Sequence, residues 1–270
     1  MRPTDIQTWS THATRLGLFP AIASHAVAVV SNPDSSVIDL VRVVHRHPAV
    51  SMRIVRLVNG PFYDMPRPIH RLNDVFVHTG MAEALRLILA VSIGAQLWDT
   101  LTGRRTGYHA IRVGGLARLI SLRTAGVDPG DAFLTGCLHD GAMPVFSVSH
   151  PGYDAMVAEC HGDRLVEAER EALGVDHAAL MSTLLLQWGV APRIATGVRC
   201  HHDPVTAATD PLAVVVQVAD AIDTVMQSQT PTQDAVGQLV TLPASQALEI
   251  RAEEIHHWLD TASGKVRVAG

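Results

Sequence analysis

Proline and its capping neighbours open one helix-period apolar run after another along this chain. Asp34-Ser35-Ser36 offers an N-cap ahead of Val37, Ile38, Leu40, Val41 and Val44. Pro48 stands at the start of a run that carries Val50, Ile54, Val55, Leu57 and Val58, and Asn59-Gly60-Pro61 stops it. Asp128-Pro129 combines an N-cap acceptor with a φ already set for the first helical position, leading into residues 132–139. The spacing predicts further helices over residues 16–30, 72–78, 81–99, 109–123, 163–173, 176–188, 192–201 and 211–226, with a last amphipathic one over 245–259. Alternating strand patterns are weak. The expectation is an all-α, multi-helix bundle.

Composition narrows the class. Hydrophobic residues make up 47% of the 270, enough for one large core or two modest ones, and charged residues 17%. The net charge is -5 and the pI about 6.3, so no electrostatic grip on nucleic acid or on an anionic membrane is expected. Cys137, Cys160 and Cys200 form no CxxC pair and suit a reducing cytoplasm. Residues 16–30 are apolar but carry Pro20 and His25, and read as a core helix, not a signal peptide. No membrane span is expected, since spanning takes about 20 apolar residues. Residues 100–106 mark a weak boundary. The expected organisation is a helical subdomain at 1–100, a second at 101–230, and a linker (polar over 227–238) with a C-terminal helix at 231–270.

Histidine is the outlier: there are 15, against three tyrosines and five phenylalanines. Several fall in core-like segments, together with aspartates. His139-Asp140 ends an apolar helix, His177 follows Asp176, His201-His202 ends another helix, His109 lies near the start of a further one, and Asp220 interrupts the run from Leu212 to Ile222. Each comes from a different predicted helix, which is how helical bundles build inward-facing metal sites. Imidazole suits Fe, Mn, Zn or Ni, and a carboxylate adds charge and can bridge two ions. An aspartate in an apolar helix is costly unless paired, hydrogen-bonded or metal-bound. Hydrogen-bonded core pairs without metal are the alternative. His45, His47, His70, His78 and His256-His257 read as helix-end or surface residues, and Arg53, Arg56, Arg67 and Arg71 as a solvated basic face.

The ordered set in Gly107-Tyr108-His109, Leu138-His139-Asp140 and Val218-Ala219-Asp220 resembles the HD superfamily of metal-dependent phosphohydrolases. His177 and His201-His202 match the extra ligands of its two-metal members. The stretch Leu57-Val58-Asn59-Gly60-Pro61-Phe62-Tyr63-Asp64-Met65-Pro66-Arg67-Pro68-Ile69 resembles the HDOD (HD-related output domain) group, over roughly residues 15–225. That resemblance implies an HDOD-type helical half packed on an HD-like half. It also implies a bacterial signal-transduction role, exercised through a signalling partner or a small phosphate-containing ligand. The implied ligands of two divalent ions are His109, His139, Asp140, His177, His201, His202 and Asp220, with Asp140 the bridge and the catalytic residue if the site is active. The alternative function is a metal-dependent phosphohydrolase acting on a nucleotide or other phosphate ester.

Three positions depart from the active cyclic-di-GMP phosphodiesterases that this chain resembles. Met143 replaces a lysine, no Gly-Tyr-Pro triplet follows His201-His202, and Arg105 stands where three-metal members have a glutamate. A third ion is therefore not expected, and a cation for phosphate is left to Arg105 or Arg199.

Overall fold

A computed structural model of the chain describes residues 5–63, 65–93, 101–203, 210–227 and 232–263. All regular structure among them is helical. The helices are α1 Ile6–Arg15, α2 Ala21–Ser31, α3 Val37–His45, α4 Pro48–Val58, α5 Leu72–Ser92, α6 Leu101–Ser121, α7 Pro129–Leu138 and α8 Met143–Ser149. They continue as α9 Tyr153–Glu159, α10 Asp163–Leu173, α11 His177–Gln187, α12 Pro192–Cys200, α13 Pro211–Gln227, α14 Thr232–Thr241, α15 Pro243–Ala247 and α16 Ala252–Ala262.

The start signals act as the sequence suggests. Ser36 and Asp39 form a capping box on α3, and the Asp128 carboxylate accepts the Gly130 and Asp131 amides at the head of α7. The differences lie where polar residues hide a helix. The expected helix over 16–30 begins only at Ala21, because Gly17 (φ 70) and Pro20 interrupt it, and an unforeseen α1 precedes it. The boundary expected at 100–106 is helical from Leu101 onward, so α6 starts eight residues before His109. Residues 94–100 lie outside the described residues, as does Asp64 of the quoted motif. Within the polar tract 227–238, the described part from Thr232 is helical, and the last predicted helix is two pieces separated by a turn in which Glu249 takes a φ of 52. Helices α8 and α9 were not anticipated.

Helix α5 is long and apolar enough to cross a membrane, but half of its most apolar window is buried inside the bundle. Gly80 (φ 79, ψ 175) breaks its helical path at the expected place.

Helix α6 runs through the middle of the molecule and lies against α7 through two glycines. A Cβ on Gly136 would sit 2.8 Å from the Gly114 Cα, and a Cβ on Gly114 would sit 2.8 Å from the Phe133 carbonyl oxygen. Next to this contact, the Phe62 ring lies flat against the backbone at Gly115, where any side chain would collide with it. Asn59 holds the loop that delivers Phe62: its side-chain amide donates to the Ile69 carbonyl (2.6 Å) and accepts from the Ile69 amide (2.8 Å).

A buried polar network crosses the same seam. Tyr63 donates to Glu83 (2.8 Å), Arg118 lies over the Tyr63 ring (4.4 Å), and Arg86 joins Glu83 (3.3 Å) to Asp131 (2.6 Å). Arg193 closes on Asp131 from α12. Stripping one partner from such a pair leaves an uncompensated charge, so the network fixes the relative placement of α5, α6, α7 and α12. From the other end, the fully buried Trp9 of α1 donates to the Leu173 carbonyl (3.1 Å) and meets Phe146 edge-on. One apolar cluster extends from Trp9 to Trp258.

Replacing Gly114 with alanine should cost about 1–3 kcal/mol in urea unfolding, by overpacking the α6–α7 contact. Gly237→Ala, where nothing lies within 4 Å of the added carbon, should instead be neutral or stabilising by up to about 1 kcal/mol.

Candidate metal centre

Helix ends supply most of the candidate ligands. His139 follows the last residue of α7, and its Nδ1 donates to the Gly136 carbonyl (2.7 Å). His201 stands in the same relation to α12, with Nδ1 on the Val198 carbonyl (2.7 Å). Each imidazole thus caps a carbonyl that a helix terminus leaves without a partner. His177 is the first residue of α11, behind its N-cap Asp176. Its Nδ1 and backbone amide both meet Glu169 Oε2, at 2.7 and 2.9 Å. His109, inside α6, directs Nδ1 at Asp223 Oδ2 (2.7 Å). In all four rings Nδ1 is committed to an oxygen, which leaves Nε2 as the free ligand atom.

Those Nε2 atoms converge on Asp140. Its Oδ1 lies 3.2 Å from His177 Nε2 and 3.7 Å from His201 Nε2, while its Oδ2 lies 3.4 Å from His139 Nε2 and 3.6 Å from His109 Nε2. Asp220 Oδ1 is 3.2 Å from His109 Nε2, which in turn is 3.1 Å from His139 Nε2. The His202 ring packs on those of His201 and His177, with centroids 4.1 and 5.1 Å away. The donors fall into two groups, Asp140–His177–His201–His202 and His109–His139–Asp220, each within 4.8 Å internally. Donors bound at about 2.0–2.2 Å around one ion stand roughly 3–3.5 Å apart, so both groups have the dimensions of a metal site. The fit is also chemical. His177 Nε2 and His201 Nε2 are buried and make no hydrogen bond, although burying such atoms without a partner is costly.

Charge in the pocket is finely opposed. Burial depresses the His109 pKa, but hydrogen bonds to Asp220 and Asp223 outweigh it and carry the value to about 10. Burial would raise Asp220, yet the bond from His109 and its charge bring it down to about 2. Burial lowers His201, and burial with the field of His201 and His177 takes His202 down to about 2. His201 and His202 are therefore held neutral, with lone pairs free, while a cation and a proton compete for His109.

A cleft of about 470 Å³ opens onto the centre, with Arg105, Met143, His161, His177, His202 and Asp220 among its lining. All the residues proposed from sequence as ligands meet here. Arg105 lines the cleft, whereas Arg199 lies by Asp176 (3.8 Å) and lines a neighbouring pocket with it and His202. His45, His47, His70, His78, His256 and His257 are exposed and away from the centre.

The sequence reading missed the supporting groups. Asp223, fully buried, accepts from Arg112 (two contacts, one of 3.0 Å) and from Gln227 (2.6 Å) as well as His109. Glu169, also fully buried, accepts from Tyr153 (2.5 Å). The only hint of Asp223 was its place one turn after Asp220, and Glu169 sits in a charged helix that reads as surface.

The HDOD domain family model matches residues 16–204, well over half of the chain. The chain belongs to the HDOD domain family. Solved structures that share the fold with this HDOD chain include two that match it over nearly its whole length. One, from Shewanella amazonensis and provisionally named a phosphohydrolase, is 20% identical, covers 92% of this chain and 94% of its own, and superposes with a TM-score of 0.69. The other is an HDOD domain protein of unknown function from Geobacter sulfurreducens, also 20% identical, over 97% and 96%, with a TM-score of 0.67. Among curated proteins, an uncharacterised protein of Treponema pallidum is 23% identical over 261 residues, 89% of this chain. The HDOD chain spans about half the length of that relative.

Asp223→Asn or Glu169→Gln should weaken metal binding about 10- to 100-fold, because each removes the carboxylate that orients a ligand imidazole. Titration of the metal-free protein with Mn²⁺ or Zn²⁺, with helicity followed in parallel, separates that loss from unfolding.

Proposed function

We propose that this HDOD chain holds two divalent cations, binds a phosphate ester over them and hydrolyses it. The observation that carries this reading is the Asp140 carboxylate, whose two oxygens face two separate groups of donors. His109, His139 and Asp220 would hold one ion, His177, His201 and His202 the other, and Asp140 would join them. When bound, such a pair of ions polarises a phosphoryl group and makes a water nucleophilic near neutral pH. The chain's own residues contribute the rest. Glu169 and Asp223 hold His177 and His109 in their ligand tautomers, the carbonyls of Gly136 and Val198 do so for His139 and His201, and the buried Met143 keeps one wall of the cleft apolar. A Shewanella amazonensis protein of the same fold, 16% identical with a TM-score of 0.62, is provisionally named a metal-dependent phosphohydrolase, which agrees with the reading.

A second reading is a signalling module in which the loaded centre senses a small phosphate-containing ligand and residues 1–100 address a protein partner. Met143, apolar where the resembling phosphodiesterases have lysine, favours it. Either role is placed in the cytoplasm, where the free Cys137, Cys160 and Cys200 stay reduced.

Metal-loaded protein assayed with generic phosphomonoester and phosphodiester substrates decides between them. Hydrolysis that disappears in Asp140→Ala, together with both ions, is the expected result. A fully loaded protein that binds phosphate but turns nothing over would assign the sensor role instead.

A further inference from the structure

We propose that Arg105 and His161 form the anion-receiving side of the cleft and fit it to a phosphomonoester dianion. The inference rests on the two-metal reading of the same site.

Position 143 supplies no cation here. Met143 is buried and lines the cleft with a thioether. Arg105 brings a positive charge from a different wall. It lies one turn before His109 on α6, which places both on the same helix face, and it lines the same cleft. Among the described residues no acidic side chain pairs with it, whereas the arginines around it are committed. Arg112 is held by Asp223, and Arg170 and Arg199 are held by Asp176. An unpaired guanidinium beside a metal centre repels a further cation and offers a planar pair of donors to phosphate oxygens.

His161 faces the cleft from the connection between α9 and α10. The next residue, Gly162, takes φ 56 and ψ −134, a conformation open essentially to glycine, and no side chain caps the helix it starts. The eleven-residue α10 therefore presents uncapped amides beside the His161 N–H, and Gly162 itself lines the cleft. Across the same cleft stands His177, 1% exposed, whose Nε2 the two-metal reading gives to an ion.

Charge selects the ligand class. Two divalent ions and Arg105 outweigh the four carboxylates around them, Asp140, Asp220, Asp154 and the Glu169 behind His177. The loaded cleft keeps a positive surplus, which holds the more highly charged of two anions more tightly. A phosphomonoester, with its second pKa near 6, is a dianion at neutral pH. A diester carries half that charge and is attracted less strongly.

Calorimetric titration of the metal-loaded full chain with inorganic phosphate and with dimethyl phosphate tests this. Phosphate should bind about ten-fold or more tightly than dimethyl phosphate. Arg105→Ala should weaken phosphate binding about ten-fold or more, and His161→Ala by a few-fold, each with unchanged metal content by elemental analysis. Phosphate affinity within about two-fold of wild type in Arg105→Ala, with metals in place, overturns the assignment of Arg105. Equal affinity for the two anions overturns the monoester class. A wild-type protein that takes up no metal overturns the two-metal reading and this inference together, and elemental analysis registers that before any phosphate is added.

Discussion

A carboxylate in the interior of a helical bundle has to be compensated, and among the described residues Asp140 is compensated only by imidazoles. Four Nε2 atoms surround its two oxygens at 3.2 to 3.7 Å, and none of the four is free to turn away, because each Nδ1 is tied elsewhere. Left to themselves, these groups face each other as competing donors and acceptors, with two of the nitrogens making no hydrogen bond. Two cations between the oxygens and the nitrogens, as proposed above, would resolve those conflicts together and offset the cost of the polar interior.

The rest of the fold serves that convergence. His109 reaches His139 because Gly114 and Gly136 let α6 and α7 approach backbone to backbone. Phe62, held in place by the Asn59 clasp, lies against the next glycine of α6, so the first half of the chain bears directly on the helix that carries His109. The Tyr63–Glu83–Arg86–Asp131 network fixes α7 from the same side. The first half and the centre thus share α6 as a common contact.

Much of this could be read from the residues. The ligands stood out because aspartate and histidine are conspicuous in apolar runs, as at Leu138-His139-Asp140 and around Asp220, and because prolines and caps announced the helices that carry them. What stayed hidden was hidden for a reason. Glu169 falls in a charged helix whose polar residues look like ordinary surface, and Asp223 stands just past the apolar run that exposes Asp220, where the helix turns polar; only the tertiary fold shows both turned inward. The start of α6 carries no apolar stripe over Thr102, Gly103, Arg104 and Arg105, and periodicity had nothing to register there. The short α8 and α9 are set by packing of Phe146 and Tyr153, ring centroids 5.4 Å apart, which no local pattern encodes. His161 was passed over because a lone histidine in a loop is uninformative until the cleft it faces is known.

The central claim is that both oxygens of Asp140 meet a cation. Anomalous diffraction at the absorption edge of the bound metal tests it directly. Two peaks about 3.5–4 Å apart, one on the His109–His139–Asp220 side of Asp140 and one on the His177–His201–His202 side, are the predicted result. A crystal grown with metal that gives no peak at Asp140, or one only at exposed histidines such as His256-His257, would contradict it.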